Sequence, residues 1–201
     1  MSSMPFDELN RLSAELRETF ATNMQKEERK EIIDEVLDIL ILSYVFGTDD
    51  ANEMLETEEP VIERELDDSV SKTVAGRTWV ERINDYIDNG TADDIIRVAE
   101  TDSHRIYNEA IYNVGEKVNE QVKLAQSTTS SLVPTTSTIY KTWECMMLPS
   151  SRDQHIWLDG TKIPFDQKFY TYTGASAYRP GEFGEAENDV NCLCRLRLSR
   201  Q

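Results

Sequence analysis

Four side chains near the end of this chain are of the types that bind soft metals or act as nucleophiles: Cys145, His155, Cys192 and Cys194. Thiolate sulfur and imidazole nitrogen are the usual ligands of tetrahedral zinc. Two features of their spacing favour a plainer use. Cys192-Leu193-Cys194 lacks the two-to-four-residue spacer of common structural zinc knuckles. In addition, Cys192, Cys194, Leu196 and Leu198 alternate with Leu193, Arg195 and Arg197, which puts both cysteines on the apolar face of a strand. There a free cysteine packs as a small core residue. A disulfide or redox pair is the third use, but three cysteines do not complete a disulfide framework, and a reducing compartment is the default. The expectation is therefore no cofactor and no metal, with zinc on Cys145, His155, Cys192 and Cys194 as the alternative.

A second chemistry would pair Cys192 as nucleophile with His155 as base. It needs a third group to orient the imidazole and donors for an oxyanion. Asp153 or Asp159 could orient the ring, but no nucleophile elbow or oxyanion-loop motif is present. The chain is accordingly expected not to be an enzyme, and His155 to be a hydrogen-bonded structural residue clamping the loop from Leu148 to Asp159. No Walker loop, dinucleotide fingerprint, His-Glu-x-x-His or EF-hand loop occurs. Glu100, Thr101, Asp102, Arg105 and Asn108 lie on adjacent faces of one helix at i to i+3 and i to i+4 offsets. They form either a solvated face with local ion pairs or a polar seam that docks the end of the chain.

The elements that would position these residues follow from periodicity. Phe6, Leu9, Leu12, Leu16 and Phe20 make one stripe on a first helix. A second helix is expected from Lys26 to Phe46, central in a bundle, with Gly47 as its stop. A third helical pattern begins at Pro60 and carries Ile62, Leu66, Val70 and Val74. Thr78 should cap a fourth helix that ends at Asn89-Gly90, and Thr91 with Asp94 resembles a capping box for the longest helix, Ala92 to Leu124. Ser127 to Thr138 is a Ser/Thr-rich link, read as a plain linker or as an arm pairing with a neighbouring subunit. Beyond it, Ile139–Met147, Phe169–Thr173 and Cys192–Leu198 read as strands, and Asp159-Gly160 as a hairpin turn between Ile156–Leu158 and Thr161–Ile163. The sum is an α+β chain with a helical region over 1–126, a linker over 127–138 and a small β-rich subdomain over 139–201.

Charge divides the chain at the same place. Residues 1–126 hold 30 acidic and 13 basic side chains, whereas residues 127–201 hold 8 of each, so the whole net charge of −17 belongs to the helices. Such a surface repels phosphate backbones, and direct DNA binding by the helices is not expected. It suits a solubilising face, a basic protein partner or a high-salt setting. The longest apolar-rich run, Val36 to Phe46, is too short to span a bilayer and contains Asp38. Residues 1–5 lack a secretion-signal pattern, and a soluble protein without a membrane partner is expected.

Three stretches together resemble the phage head morphogenesis, or Mu protein F-like, minor head proteins of tailed viruses. Gly76-Arg-Thr-Trp-Val-Glu-Arg-Ile83, with Glu81 and Arg82, is similar to the family's Gly-x-Thr…Glu-Arg-Ile helix. Val98 to Asn108 is similar to its Ala-x-Thr-Glu…Arg-x-Tyr-Asn helix, with Thr101, Asp102, Arg105 and Asn108 in place. The terminal stretch follows the family's order most closely: Lys141-Thr-Trp143, Arg152-x-x-His155, Leu158-Asp159-Gly160, Pro180-Gly181 and Asn191-Cys192-Leu-Cys194. Leu148 or a neighbour stands where the family usually has Asp, and Leu193 where it commonly has Arg. The resemblance spans roughly residues 61 to 197. It implies a minor structural protein of the virion head, assembled in the host cytoplasm. Its contacts would be with the portal or major capsid protein, or a second copy of itself, and its role in head morphogenesis, genome packaging or ejection. A toxin-delivery module is a further reading, disfavoured because no additional domain is expected after Arg200.

Overall fold

A computed structural model describes residues 4–19, 26–74, 76–128 and 138–201. Seven helices and five strands follow in order: α1 (Met4–Thr19), α2 (Lys26–Leu55), α3 (Glu63–Ser71), α4 (Trp79–Asn89), α5 (Ala92–Thr128), β1 (Ile139–Glu144), α6 (Asp153–Leu158), β2 (Lys162–Pro164), β3 (Phe169–Tyr170), β4 (Ser176–Ala177), α7 (Ala186–Asp189) and β5 (Arg195–Arg200). Helices thus precede a small antiparallel sheet, and the chain is α+β as expected. Among the described residues no helix is long and apolar enough to cross a membrane.

The helical start signals act as the sequence indicates. Thr78 and Glu81 form a reciprocal capping box at the head of α4. Asp94 replaces Glu in the same role at α5, where its carboxylate accepts from the Thr91 backbone N–H (3.0 Å) and hydroxyl (2.8 Å). Leu9, Leu12 and Leu16 of α1 are buried, while the side chains of Phe6 and Phe20 lie outside the described residues. The same holds for most of the Ser/Thr link: Ser127 and Thr128 finish α5, and residues 129–137 are outside the description.

Gly47 does not end α2, which continues to Leu55. A Cβ at Gly47 would meet the Tyr107 carbonyl oxygen at 2.4 Å and Ala110 Cβ at 2.9 Å. The glycine therefore marks where α2 and α5 cross closely, and the i to i−4 bonds of the helix run through it. Gly115 on α5 has the same use towards the sheet, since a Cβ there would strike Phe165 at 2.5 Å and Leu198 at 2.9 Å. α3 stops at Ser71, short of the expected Val74, which instead bridges to Arg77.

Two apolar clusters share α5. The first gathers α1, α2, α4 and the first half of α5 around Leu40, Ile83, Ile95 and Ile106. The second lays Ile111, Val114 and Val118 of α5, with Ala51 and Leu55 of α2, against Ile139, Trp143, Phe165, Leu196 and Leu198. The sheet order is β2-β1-β5, all antiparallel, and β3 pairs with β4 separately.

Three strand expectations are corrected. Residues 153–158 are helix α6, so Asp159-Gly160 joins a helix to a strand and is not a hairpin turn. His155 and Leu158 are buried three residues apart, a helical spacing that the short Ile-Trp-Leu run conceals. β3 ends at Tyr170, since a turn at Thr171–Gly174 leads directly into β4. β5 starts only at Arg195, although the predicted alternation holds: Cys192, Cys194, Leu196 and Leu198 are buried and Arg197 is exposed.

Candidate functional site

Trp143, His155, Cys192 and Cys194 converge in one buried cluster. Trp143 comes from the centre of the sheet, where β5 supplies Leu196 opposite it. His155 is brought beneath it by the turn after α6. Gly160 takes a positive φ of 71°, its N–H donates to the Trp143 carbonyl (2.8 Å), and Trp143 N–H donates to the Thr161 carbonyl (3.1 Å). Asp159 Oδ1 accepts from the Cys145 backbone N–H (2.7 Å), so the helix end is pinned to the end of β1. The imidazole stacks on Phe183 (centroids 5.5 Å, 20°) and meets the Trp143 ring edge-on (5.6 Å, 74°).

Both cysteine sulfurs face the same ring nitrogen, each 3.6 Å from His155 Nδ1. The three ligand atoms lie within 4.8 Å of one another, and all three residues are buried. Cys145 does not join them and is only partly buried. The Cys194 thiol and then His155 favour the thiolate on Cys192, whose pKa falls well below the ordinary range. Cys194 moves the other way, held protonated by its bond to the Cys192 sulfur and by burial. The Trp143 indole N–H makes no hydrogen bond of ordinary geometry, yet it faces the Cys194 sulfur and favours negative charge there.

As a nucleophile–base pair the cluster is incomplete. Asp159 is engaged with Cys145, and His155 Nε2 is buried without a hydrogen-bond partner among the described residues. No carboxylate therefore orients the imidazole, which is the part a third catalytic group would play. His155 is hydrogen-bonded through Nδ1 to the two cysteine sulfurs, with its ring stacked on Phe183 and edge-on to Trp143. Arg152 adds a tie, donating from Nη2 to the Val190 carbonyl (2.5 Å).

The helix motif meets the terminal motif across a buried seam. Asn191, at a positive φ of 58°, donates its backbone N–H to Thr101 Oγ1 (3.1 Å). Asn108 donates to the Cys194 carbonyl (2.9 Å) and accepts from Leu196 N–H (2.7 Å), so one side chain extends the edge of the sheet onto α5. Asp102 is completely buried between Arg82 Nη2 (2.5 Å) and Arg105 Nη2 (3.3 Å). Arg105 continues to Glu109 (3.2 Å) and the Ser69 carbonyl (3.0 Å), and Glu109 to Arg179 (3.4 Å) and Lys72. The solvated-face reading of Thr101, Asp102, Arg105 and Asn108 is thereby replaced by the docking seam. Of the helix-motif residues, Glu81 is exposed, in the capping box.

Phe183, Asp189 and Lys141 belong to the site without having been singled out for a role. Asp189 accepts from the backbone N–H groups of Phe183 (2.9 Å) and Gly184 (2.7 Å), which presents Phe183 to His155. Burial nevertheless raises the Asp189 pKa. Lys141 is fully buried under the rings of Tyr112, Phe165, Phe169 and Tyr178, with centroids 4.9–5.5 Å from Nζ. A lysine inside an alternating strand gives no hint of such a cage; only the ring positions reveal it. No protein-family model matches the chain, and neither a curated protein nor a solved structure is significantly similar to it.

Proposed function

We propose that this protein is a minor structural component of a tailed-virus head, acting through contacts with the portal or major capsid protein. The observation that carries the reading is the meeting of its motif residues. Thr101 and Asn108 on α5 and Asn191, Cys194 and Leu196 near the end of the chain are far apart in sequence, yet they bond directly to one another across one seam. Residues spent on holding a sheet to a helix suit a scaffold that presents surfaces. The β-rich end offers such a surface: Trp157, Tyr170 and Tyr172 are 67, 64 and 59% exposed, and aromatic residues of this kind are enriched at protein interfaces. The helical body, with its negative charge, is suited to stand clear of packaged DNA.

Mass spectrometry of density-purified virus particles from the source culture tests the reading. Peptides of this chain should co-purify with the portal and major capsid proteins at a low, fixed copy number. Particles that lack the chain and still assemble and infect normally would refute it.

A further inference from the structure

The separations of both cysteine sulfurs from the shared imidazole nitrogen match those in a coordination sphere. With bonds of about 2.0 Å to nitrogen and 2.3 Å to sulfur, a tetrahedral zinc ion sets its nitrogen and sulfur ligands about 3.5 Å apart. His155 Nδ1 stands 3.6 Å from Cys192 Sγ and 3.6 Å from Cys194 Sγ. A cavity of about 20 Å³ lies against the same three residues, between the Met146–Arg152 loop and Asn191–Cys194. That is room for about one water-sized species. Trp143 and Phe183 wall the ring on its other sides, so a cation there would be met by ligands and shielded from bulk solvent.

A fourth ligand stands one register step away. Glu144 of β1 faces Arg195 of β5, and continuing that register sets Cys145 opposite Cys194. Directly opposed residues have Cβ atoms about 4.5–5.5 Å apart. Cys145 is only partly buried and forms no disulfide.

The geometry points to a structural zinc site in which His155 Nδ1, Cys192 and Cys194 bind one ion and Cys145 turns inward as the fourth ligand. Binding forms one Zn–N and three Zn–S bonds, and the protons of the thiols go to solvent. Four protein ligands make a closed site with no position left for substrate. Its effect is to staple α6 to the segment before β5, joining two parts of the small terminal module that are distant in sequence. The inference does not depend on the head-protein reading, because the particle experiment and the metal experiment can succeed or fail separately.

The full chain, purified without chelator and kept in reductant, should carry about one zinc per chain by elemental analysis. Stripped and titrated with Co²⁺, it should develop thiolate-to-cobalt charge-transfer absorption with the strong visible bands of a tetrahedral ion. Cys145→Ser, at the partly exposed position, should fold and retain about two thirds of the charge-transfer intensity, since one of three thiolates is gone. Reduced wild-type protein that is folded by circular dichroism, holds no zinc and gives no cobalt band would overturn the site. An unchanged band in Cys145→Ser would overturn the assignment of the fourth ligand.

Discussion

Lys141 is the least expected single residue in this molecule. It is fully buried, its ammonium has no hydrogen-bond partner among the described residues, and four aromatic rings surround it. Burial pulls its pKa down to about 8, with Glu182 and Asp166 pulling the other way and Arg179 adding to the fall. The rings offset part of the cost through their negative faces. Because the folded pKa lies below the unfolded value of 10.5, the unfolded chain binds the extra proton between the two. Stability should therefore rise with pH from about 8 to 10.5 and lose that contribution below this window. Lys141→Met keeps the volume and removes the charge. Urea unfolding should show the variant at least as stable near neutral pH, by about 1 kcal/mol. The difference between the two proteins should shrink as pH rises through the window. A wild type that outlasts the variant at neutral pH would show that the cage favours the ammonium more than burial opposes it.

At the scale of elements, the joint between α5 and β5 depends on one amide. Asn108 satisfies the Cys194 carbonyl and the Leu196 N–H together, at a place where the first residues of β5 meet a helix and not a further strand. Asn108→Ala leaves both groups buried and unpaired, which costs about 1–3 kcal/mol for each unsatisfied group. A total loss of about 2–6 kcal/mol is expected in urea titrations. Amide exchange should accelerate at Leu196 before it does so in α2, because the joint opens while the first core stays closed. Uniform acceleration across both cores would mean that the two clusters unfold together. The buried charges of the same seam make a different contribution. Removing one partner of Asp102, Arg105 or Glu109 strands the others, so the network acts to fix how the elements dock more than to add stability.

For the whole molecule, charge is the quantity to vary. A net charge of −17, all of it from the helical region, makes the folded surface repel itself. The Debye length falls from about 30 Å at 0.01 M salt to about 8 Å at 0.15 M. Raising sodium chloride over that range should increase Tm, by about 2–4 °C for each kcal/mol of repulsion relieved. Exposed ion pairs such as Arg11 with Glu8 and Glu15 would weaken in the same change, but pairs of this kind are worth little. A Tm that falls with salt would mean that ion pairs outweigh repulsion on this surface.

Periodicity and local caps by themselves determined the five helices of the first 128 residues, their order and the placement of the acidic surface. Those signals are carried by neighbours three or four residues apart, as Thr78 with Glu81 and Thr91 with Asp94 show. The alternation from Cys192 to Leu198 likewise determined which side chains face inward. What required the tertiary structure was every choice made by a distant partner. Gly47 stands inside α2 because Tyr107 passes 60 residues later in the chain, Asp159-Gly160 follows a helix because β1 accepts the turn, and Lys141 is enclosed by rings from α5, β3 and two loops. The meeting of His155 with two sulfurs belongs to this second kind. Close packing between segments remote in sequence sets such positions, and no local pattern encodes the distance.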